Sequence, residues 1–389
     1  MDARDADPRP LIVHIVFRFD VGGLENGLVN LVNGLPPDEF RHAIVALTEA
    51  TEFRSRIRRG DVTVHELHKR PGRDVAAYVR LHRLLRRLRP DVVHTRNLGT
   101  LDCALVAWLA GVRVRVHGEH GWDIHDPDGT RRKYRAIRRA LNPLIRRFVA
   151  VSSDLEGWLI NSVGISAGKV QRICNAVDAE RFRPASAGLR AALPPQVFPA
   201  AAVIVGSVTR FQEIKDPLNL ARAFVEARRR LAGTAVDLRL LMVGDGPLRE
   251  AAIGLLAAAG EAQAAWLPGS RDDVSSLLGV MQIYALGSRR EGISNTVLEA
   301  MAAGLPVVAT ATGGNRELVV PGETGSLVPC GDPGALADAI VAYAMDADLR
   351  ARHGRAARAR IERDYSLARM IDDYRKLYHA VCVSKGVAA

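Results

Sequence analysis

Two series of short, continuously apolar runs, each run followed by a stretch of helical period, constrain this chain more than any other feature. The first series is "LIVHIVF" (11–17), "HAIVALT" (42–48), "DVVHTR" (91–96), "VRVRVHG" (112–118) and "RRFVAVSS" (146–153). The second is "AAVIVGSVTR" (201–210), "LRLLMVGDG" (238–246), "AAWLPGS" (264–270), "MQIYALGS" (281–288) and "LPVVATA" (305–311). A strand that is apolar on both faces must be covered on both, and a parallel sheet between two layers of helix does this. The expected fold class is therefore α/β, with two Rossmann-like doubly wound domains.

The chain's 389 residues exceed what one core usually serves, which agrees with two domains. The Pro- and Ala-rich stretch "RPASAGLRAALPPQVFPA" (183–200) reads as the linker. The predicted domains are 1–185 and 195–365, followed by a helical tail at 366–384 that opens with "SLARMIDDYRKLYHAV". Ligands of such sheets bind outside the strand C-termini, so two in tandem would leave a cleft between their loops.

Composition narrows the setting. Cys103, Cys174, Cys330 and Cys382 are scattered with no C-x-x-C pair, which argues against a disulfide framework or a structural zinc site and suits a reducing cytoplasm. No apolar run reaches the 18 or so residues a spanning helix needs, and "MDARDADPRP" is too acidic and polar for a secretory signal. The expectation is a protein neither exported nor inserted. Lys and Arg number 54 against 43 Asp and Glu, a net +11 that suits phosphorylated substrates, an anionic membrane surface or nucleic acid.

Five stretches carry candidate chemistry. In "SRREGISNTVLEAMAAGLPVVATATGGNRELV", Ser294 or Asn295 can cap a helix running to about Ala303, stopped by Gly304 and Leu305-Pro306. Glu291 then lies on the entering loop and Glu299 about a turn inside. Either carboxylate can accept paired hydrogen bonds from vicinal hydroxyls, and the helix start suits phosphate. A capping acid plus a solvated helical Glu is the plainer reading. In "GSVTRFQEIKD" (206–216), Arg210 and Lys215 follow a strand directly, where cations can neutralise a diphosphate leaving group or simply line a solvated loop.

In "DVGGLENG" (20–27), Gly22 and Gly23 allow close approach of backbone to ligand, but there is neither a G-x-G-x-x-G nor a Walker lysine. The stretch "VHGEHGWDIHD" (116–126) gathers His117, Glu119, His120, Asp123, His125 and Asp126, which fits a metal site, a sugar-facing loop or plain surface. Last, "RRKYRAIRRALNPLIRRF" (131–148) places Tyr134, Ile137, Leu141, Ile145 and Phe148 at helical spacing among arginines, with Pro143 expected to kink it. "YVRLHRLLRRLRP" (78–90) repeats the pattern. Such faces can rest on anionic lipid or on a core, whereas nucleic-acid binding lacks the stacking aromatics it would need.

Taken in order, "IVFRFDVGGLENGLVNLVNGL", "VSSDLEGWLI", "ICNAVDAERFRP", "GSVTRFQEIKD", "LMVGDGPLRE", the glutamate stretch and "PGETGSLVP" resemble the retaining, nucleotide-sugar-dependent glycosyltransferases of family 4, which have the two-domain GT-B fold. The "HGEHGWD" context is similar to transferases that accompany exopolysaccharide and exosortase (PEP-CTERM) sorting-signal systems. The resemblance implies a nucleotide-sugar donor, a saccharide or lipid-linked acceptor on the N-terminal domain, a last helix crossing back onto that domain, no cofactor and no metal. It implies that Glu299 binds the ribose, that Glu291 binds the sugar hydroxyls, and that Arg210 and Lys215 hold the diphosphate. The amides of Ile293, Ser294 and Asn295, and Gly22, Gly23 and Gly244, would assist in donor binding. The family's cleft histidine falls at His120, with His117 as the alternative.

This chain departs from the family pattern at Asn175-Ala176-Val177-Asp178, where Asn-Gly-Val-Asp is usual, and at Gln282 and Gly287, where an acid and a proline are usual. Those changes bear on strand ends and turns. The alternatives are a nucleotide-sugar epimerase or phosphorylase of the same fold, or a metal-dependent hydrolase built on residues 117–126.

Overall fold

The computed structural model describes residues 7–122, 126, 128–184 and 193–383. The chain divides into two compact units, residues 1–175 with 368–389 and residues 176–367. The centre of the expected linker, residues 185–192, lies outside the described residues.

Unit one runs β1 (Leu11–Val16), α1 (Gly23–Gly34), β2 (Arg41–Ala46), β3 (Thr63–Glu66), α2 (Val75–Leu88), β4 (Val92–Arg96), α3 (Leu98–Leu101), α4 (Cys103–Leu109), β5 (Val114–Glu119), α5 (Arg132–Leu141), β6 (Arg147–Ala150), α6 (Ser153–Trp158) and β7 (Val170–Arg172). Its seven strands are ordered β3-β2-β1-β4-β5-β6-β7, all parallel. Every residue of β1 is buried, as a continuously apolar run in a two-sided sheet must be.

Unit two runs β8 (Val203–Val208), α7 (Pro217–Arg230), β9 (Leu238–Val243), α8 (Arg249–Ala258), β10 (Ala265–Gly269), α9 (Val274–Val280), β11 (Ile283–Leu286), α10 (Asn295–Ala302), β12 (Val307–Thr310), α11 (Asn315–Leu318), β13 (Gly325–Val328), α12 (Pro333–Met345) and α13 (Ala347–Asp364). Its order is β10-β9-β8-β11-β12-β13, again all parallel. The last helix, α14 (Leu367–Val383), packs on unit one.

Sequence and structure differ at the margins. The strands not foreseen, β3, β7 and β13, are all edge strands; they are short and carry exposed or half-exposed residues, so they lack the apolar run that marks a central strand. The basic stretch 131–148 is not one kinked helix. α5 stops at Leu141, Pro143 sits in a single 3-10 turn (Asn142–Leu144), Ile145 is buried, and Phe148 belongs to β6. Proline's missing N–H ends the helix here. The second unit takes over at Ala176 because Val177 donates its N–H to the Tyr365 carbonyl, and Arg358 holds the carbonyls of Ala179 and Phe182.

The face of the first sheet beneath α14 is polar where a core is normally apolar. His14, His42, His94 and Arg96 are all buried. Arg96 Nη2 donates to His14 Nδ1 at 3.1 Å, so His14 carries its proton on Nε2 and donates to His42 Nδ1 at 3.0 Å. The Tyr378 hydroxyl lies 2.8 Å from His94 Nδ1 and ties α14 into the same network. Burial first, and then the guanidiniums of Arg96 and Arg59, push these imidazoles down: His14 and His94 well below their ordinary value, His42 to about 3.

A base depressed in the folded state is protonated in the unfolded chain first. The stability it protects is whole above about pH 6.5 and is lost as pH falls from there toward 3. Unfolding by urea should therefore become easier between pH 7 and pH 5, by up to about 1.4 kcal/mol per pH unit for each buried imidazole. The variant His42→Asn should show a visibly flatter dependence. An identical slope in the variant would remove His42 from this account.

Candidate active site

Both sheets reverse strand order once: β1 lies between β2 and β4, and β8 between β9 and β11. Loops leaving the two central strands diverge there, opening a gap at the strand C-termini where ligands of open α/β sheets bind. Of the residues singled out in the sequence, Gly22 and Gly23 follow β1, Arg210 and Lys215 follow β8, and Glu291 to Asn295 follow β11, all at these reversals, whereas His117 and His120 stand at the end of β5.

In unit two, β8 leads into residues 209–216, which rest on the loop after β9 through Thr209 N to Val243 O and Phe211 N to Asp245 O, both 2.9 Å. The contact requires Gly244, whose φ is +128°; a Cβ there would stand 1.9 Å from the Thr209 carbonyl oxygen. Lys215 closes a 3-10 turn (Glu213–Lys215) before Asp216, and the turn is fastened to the loop after β11 by Arg289 N to Ile214 O and Arg289 Nε to Asp216 Oδ2, both 2.9 Å. Gly287 lies at that approach, where a Cβ would stand 3.4 Å from Asp216 O, an ordinary contact.

The result is a built ion pair. Lys215 Nζ lies 2.6 Å from Glu291 Oε1 and 2.7 Å from Oε2, and Ser288 Oγ donates to Oε1 at 2.7 Å. The Glu291 side chain is 4% exposed and that of Lys215 18%. Thr310 Oγ1 holds the Ser288 carbonyl at 2.5 Å, and Gly313, at φ +47°, lets its own backbone pass where a Cβ would meet the Glu291 carbonyl at 1.8 Å. Glu291 is thus no helix-capping acid. The cap is Ser294, whose hydroxyl accepts from Val297 N, and α10 begins at Asn295.

The amides of Ile293, Ser294 and Asn295 precede the first intrahelical bond, from Leu298 N to Ser294 O. Glu299 is half-buried, a turn inside α10. The phenol of Tyr284 is buried beneath the start of α10: its hydroxyl lies 2.7 Å from Thr296 Oγ1 and donates to Val208 O at 3.2 Å, and burial pushes it far above its usual range. Arg210 is exposed, and among the described residues its guanidinium makes no ion pair.

In unit one, Gly22 and Gly23 lie at the start of α1, directly after β1. Phe17 and Val21 stand exposed beside them. The two candidate histidines have different surroundings. His117 is fully buried with both ring nitrogens engaged, Nδ1 by Thr95 Oγ1 at 2.8 Å and Nε2 by Glu119 Oε1 at 3.2 Å. Glu119 also receives Arg138 Nε at 2.6 Å, and although burial would raise its pKa, Arg138 and His117 bring it to about 2. His120 is fixed only through its backbone, N to Asn97 Oδ1 at 2.7 Å, and its Nε2 has no partner among the described residues. Burial and Arg96 hold its imidazole near 3, so it is neutral.

The metal reading of residues 117–126 finds its first two donors committed to each other and to Arg138. Asp126 accepts the N–H of Arg131, Asp123 and His125 lie outside the described residues, and no group of three metal-binding side chains assembles among those described. Sequence reasoning did not single out Ser288, Thr310, Tyr284, Asn97 or Arg138 as supports. Ser288 stands three residues before Glu291 and was readable; the others become neighbours only through strand pairing.

Residues 21–181 match the family model described as "Glycosyltransferase Family 4", and residues 202–346 match "Glycosyl transferases group 1". The chain belongs to these glycosyltransferases and has their two-domain GT-B fold. It is 27% identical over 386 residues to the N-acetyl-alpha-D-glucosaminyl L-malate synthase of Bacillus anthracis, covering 93% of this chain and 94% of that one. It is 25% identical over 323 residues to UDP-Gal:alpha-D-GlcNAc-diphosphoundecaprenol alpha-1,3-galactosyltransferase of Escherichia coli, covering 80% and 81%. Among solved structures, Anabaena Alr3699/HepE in complex with UDP and glucose superposes with a TM-score of 0.81 at 19% identity, over 96% of this chain and all of that one.

Removing one member of the Lys215–Glu291 pair strands the other. Lys215→Met should cost about 3 kcal/mol, lowering the melting temperature, and Lys215→Met/Glu291→Gln should recover part of that loss. A double variant less stable than Lys215→Met would show that the pair is not what holds these two loops.

Proposed function

We propose that the chain transfers a sugar from a nucleoside diphosphate sugar to a hydroxyl of a saccharide or lipid-linked saccharide, with retention of anomeric configuration, in the synthesis of cell-surface polysaccharide. The observation that carries this reading is the ion pair at the strand reversal, where an ammonium and a carboxylate share one small volume beside a helix start. Two of the three N–H groups of Lys215 are directed at Glu291, which leaves one for a phosphate oxygen. Three of the four acceptor positions of Glu291 are filled by Lys215 and Ser288, which leaves one on Oε2 for a sugar hydroxyl.

Arg210 supplies the second cation. The departing diphosphate gathers most of the developing charge, and fixed donors aimed at it contribute several kcal/mol of transition-state stabilisation. The leaving phosphate takes the acceptor's proton, and no metal takes part. Glu299 holds the ribose diol. Of the two histidines, His120 is the one assigned to the donor sugar, because its ring is neutral and its buried Nε2 has no hydrogen-bond partner among the described residues, whereas both nitrogens of His117 are occupied.

The relatives support a donor of the UDP type. The Escherichia coli protein is named for UDP-Gal and a diphosphoundecaprenol-linked acceptor, and the Anabaena structure holds UDP and glucose. Both curated relatives are named with an alpha linkage, the outcome of retention from an alpha-configured donor. In this reading a lipid-linked acceptor is met at the inner face of the membrane by peripheral contact; no helix among the described residues is long and apolar enough to cross a membrane.

Thermal melting of the purified protein with a panel of nucleoside diphosphates and their sugars, with and without EDTA, tests this. One nucleotide should raise the melting temperature regardless of EDTA, and Glu299→Ala should abolish the shift. A shift that requires metal or ignores Glu299 would overturn the site assignment.

A further inference from the structure

Nine large hydrophobic side chains stand at least two-fifths exposed among the described residues, and five of them lie on two neighbouring helices of unit one. They are Val75 (72%) and Val79 (43%) on α2, and Leu105 (41%), Trp108 (51%) and Leu109 (59%) on α4. Their clustering follows from helical geometry. On α2 the positions 75, 79, 83 and 86 share one side, opposite the buried Ala77, Leu81, Leu84 and Leu85. On α4 the positions 105, 108 and 109 lie opposite the buried Cys103, Ala104 and Ala107.

The buried sides of both helices enter one core cluster with Val13, Ile15, Val45 and Val93 of the sheet. Their outer sides therefore face the same way, and the Tyr78 hydroxyl, bonded to the Asp102 carboxylate, fastens α2 to the start of α4. Charge completes the surface. Arg83, Arg86 and Arg113 are exposed and make no ion pair among the described residues. Between residues 75 and 113 the only carboxylates are Asp91, which accepts the N–H of Leu11, and Asp102, which accepts Tyr78.

We propose that this α2–α4 face is the surface on which the chain rests against an anionic lipid bilayer. Trp108 sits at the headgroup level, where an amphipathic ring is most stable; Leu105, Leu109 and the two valines enter the acyl boundary, and the three guanidiniums meet lipid phosphates. The proposal deepens the reading of a membrane-side acceptor and rests on it only for its biological sense. It also moves the lipid contact away from α5. The stripe Tyr134, Ile137 and Leu141 is half-buried in the fold, Ile145 and Phe148 are buried, and Arg138 is turned inward to Glu119. What could have been a lipid-facing stripe is occupied by the core.

Flotation of the full chain with phosphatidylcholine vesicles containing phosphatidylglycerol tests the surface. The wild type should float at low salt and float less as salt rises. Trp108→Ser/Leu109→Ser and Arg83→Glu/Arg86→Glu should each float at least tenfold less while keeping the wild-type circular dichroism spectrum and melting temperature. Undiminished flotation of both variants would overturn the proposal, and so would a wild type that fails to float.

A wild type that dimerises in the absence of lipid, with dimerisation lost in Trp108→Ser/Leu109→Ser, would assign the face to a second copy instead and overturn it equally. Donor binding read by thermal shift stays intact in both variants. Loss of that shift in the Glu299→Ala protein bears on the active site alone, so the two readings fail separately.

Discussion

A parallel sheet that reverses its strand order must leave a gap, and most of the candidate site residues in this chain lie around two such gaps. The covering helices bury the central strands on both faces, so any polar group in a strand interior, such as His14 or Arg96, has to be satisfied inside the protein. Chemistry is pushed to the loops that leave the strand C-termini. At the reversal between β8 and β11 those loops are held by backbone contacts that only glycine permits, at Gly244 and Gly313. The ion pair between Lys215 and Glu291 is consequently a product of loop geometry, fixed before any ligand arrives.

Its energetics favour a fixed site over a stable one. Removing an ammonium and a carboxylate from water costs several kcal/mol per ion, and only close geometry with added hydrogen bonds recovers it. Glu291 has that geometry, with two contacts from Lys215 and one from Ser288, and Ser288 is itself held by Thr310. A pair so arranged contributes little net stability but removes rotamer freedom from both side chains before binding. That is the form in which a protein can aim charge at a leaving group without reorganising during the reaction.

The sequence was most informative where one physical rule dominates. Continuous apolar runs located every strand except β3, β7 and β13, because buried strands are mostly apolar, whereas those three edge strands are partly exposed and carry no comparable pattern. The helix stop at Gly304 and the cap at Ser294 were readable because each depends on one residue's own conformational or hydrogen-bonding preference. The choice between His117 and His120 was not readable. The difference in their surroundings comes from Thr95, which bonds His117, and Arg138, which bonds His117's partner Glu119, and both arrive only after β4, β5 and α5 have packed. The basic stretch 131–148 misled for the same reason, since helical spacing counts apolar positions without knowing that the next element begins at Arg147.

The two units also spend polar residues differently. Unit two confines its buried charge to the loop ends, where Lys215 and Glu291 neutralise each other. Unit one places Arg96 beneath α14 with histidine, tyrosine and carbonyl acceptors around it, and the imidazoles stay neutral because burial and that guanidinium disfavour a second charge. A neutral imidazole accepts at one nitrogen only, so Arg96 fixes the tautomer of His14, and His14 in turn fixes that of His42. The same guanidinium lowers His120 and leaves its Nε2 uncharged. The helix that ends the chain and the core of the first sheet are thus joined through a network built on one buried cation, and that same cation lies near enough to His120 to disfavour a second charge there.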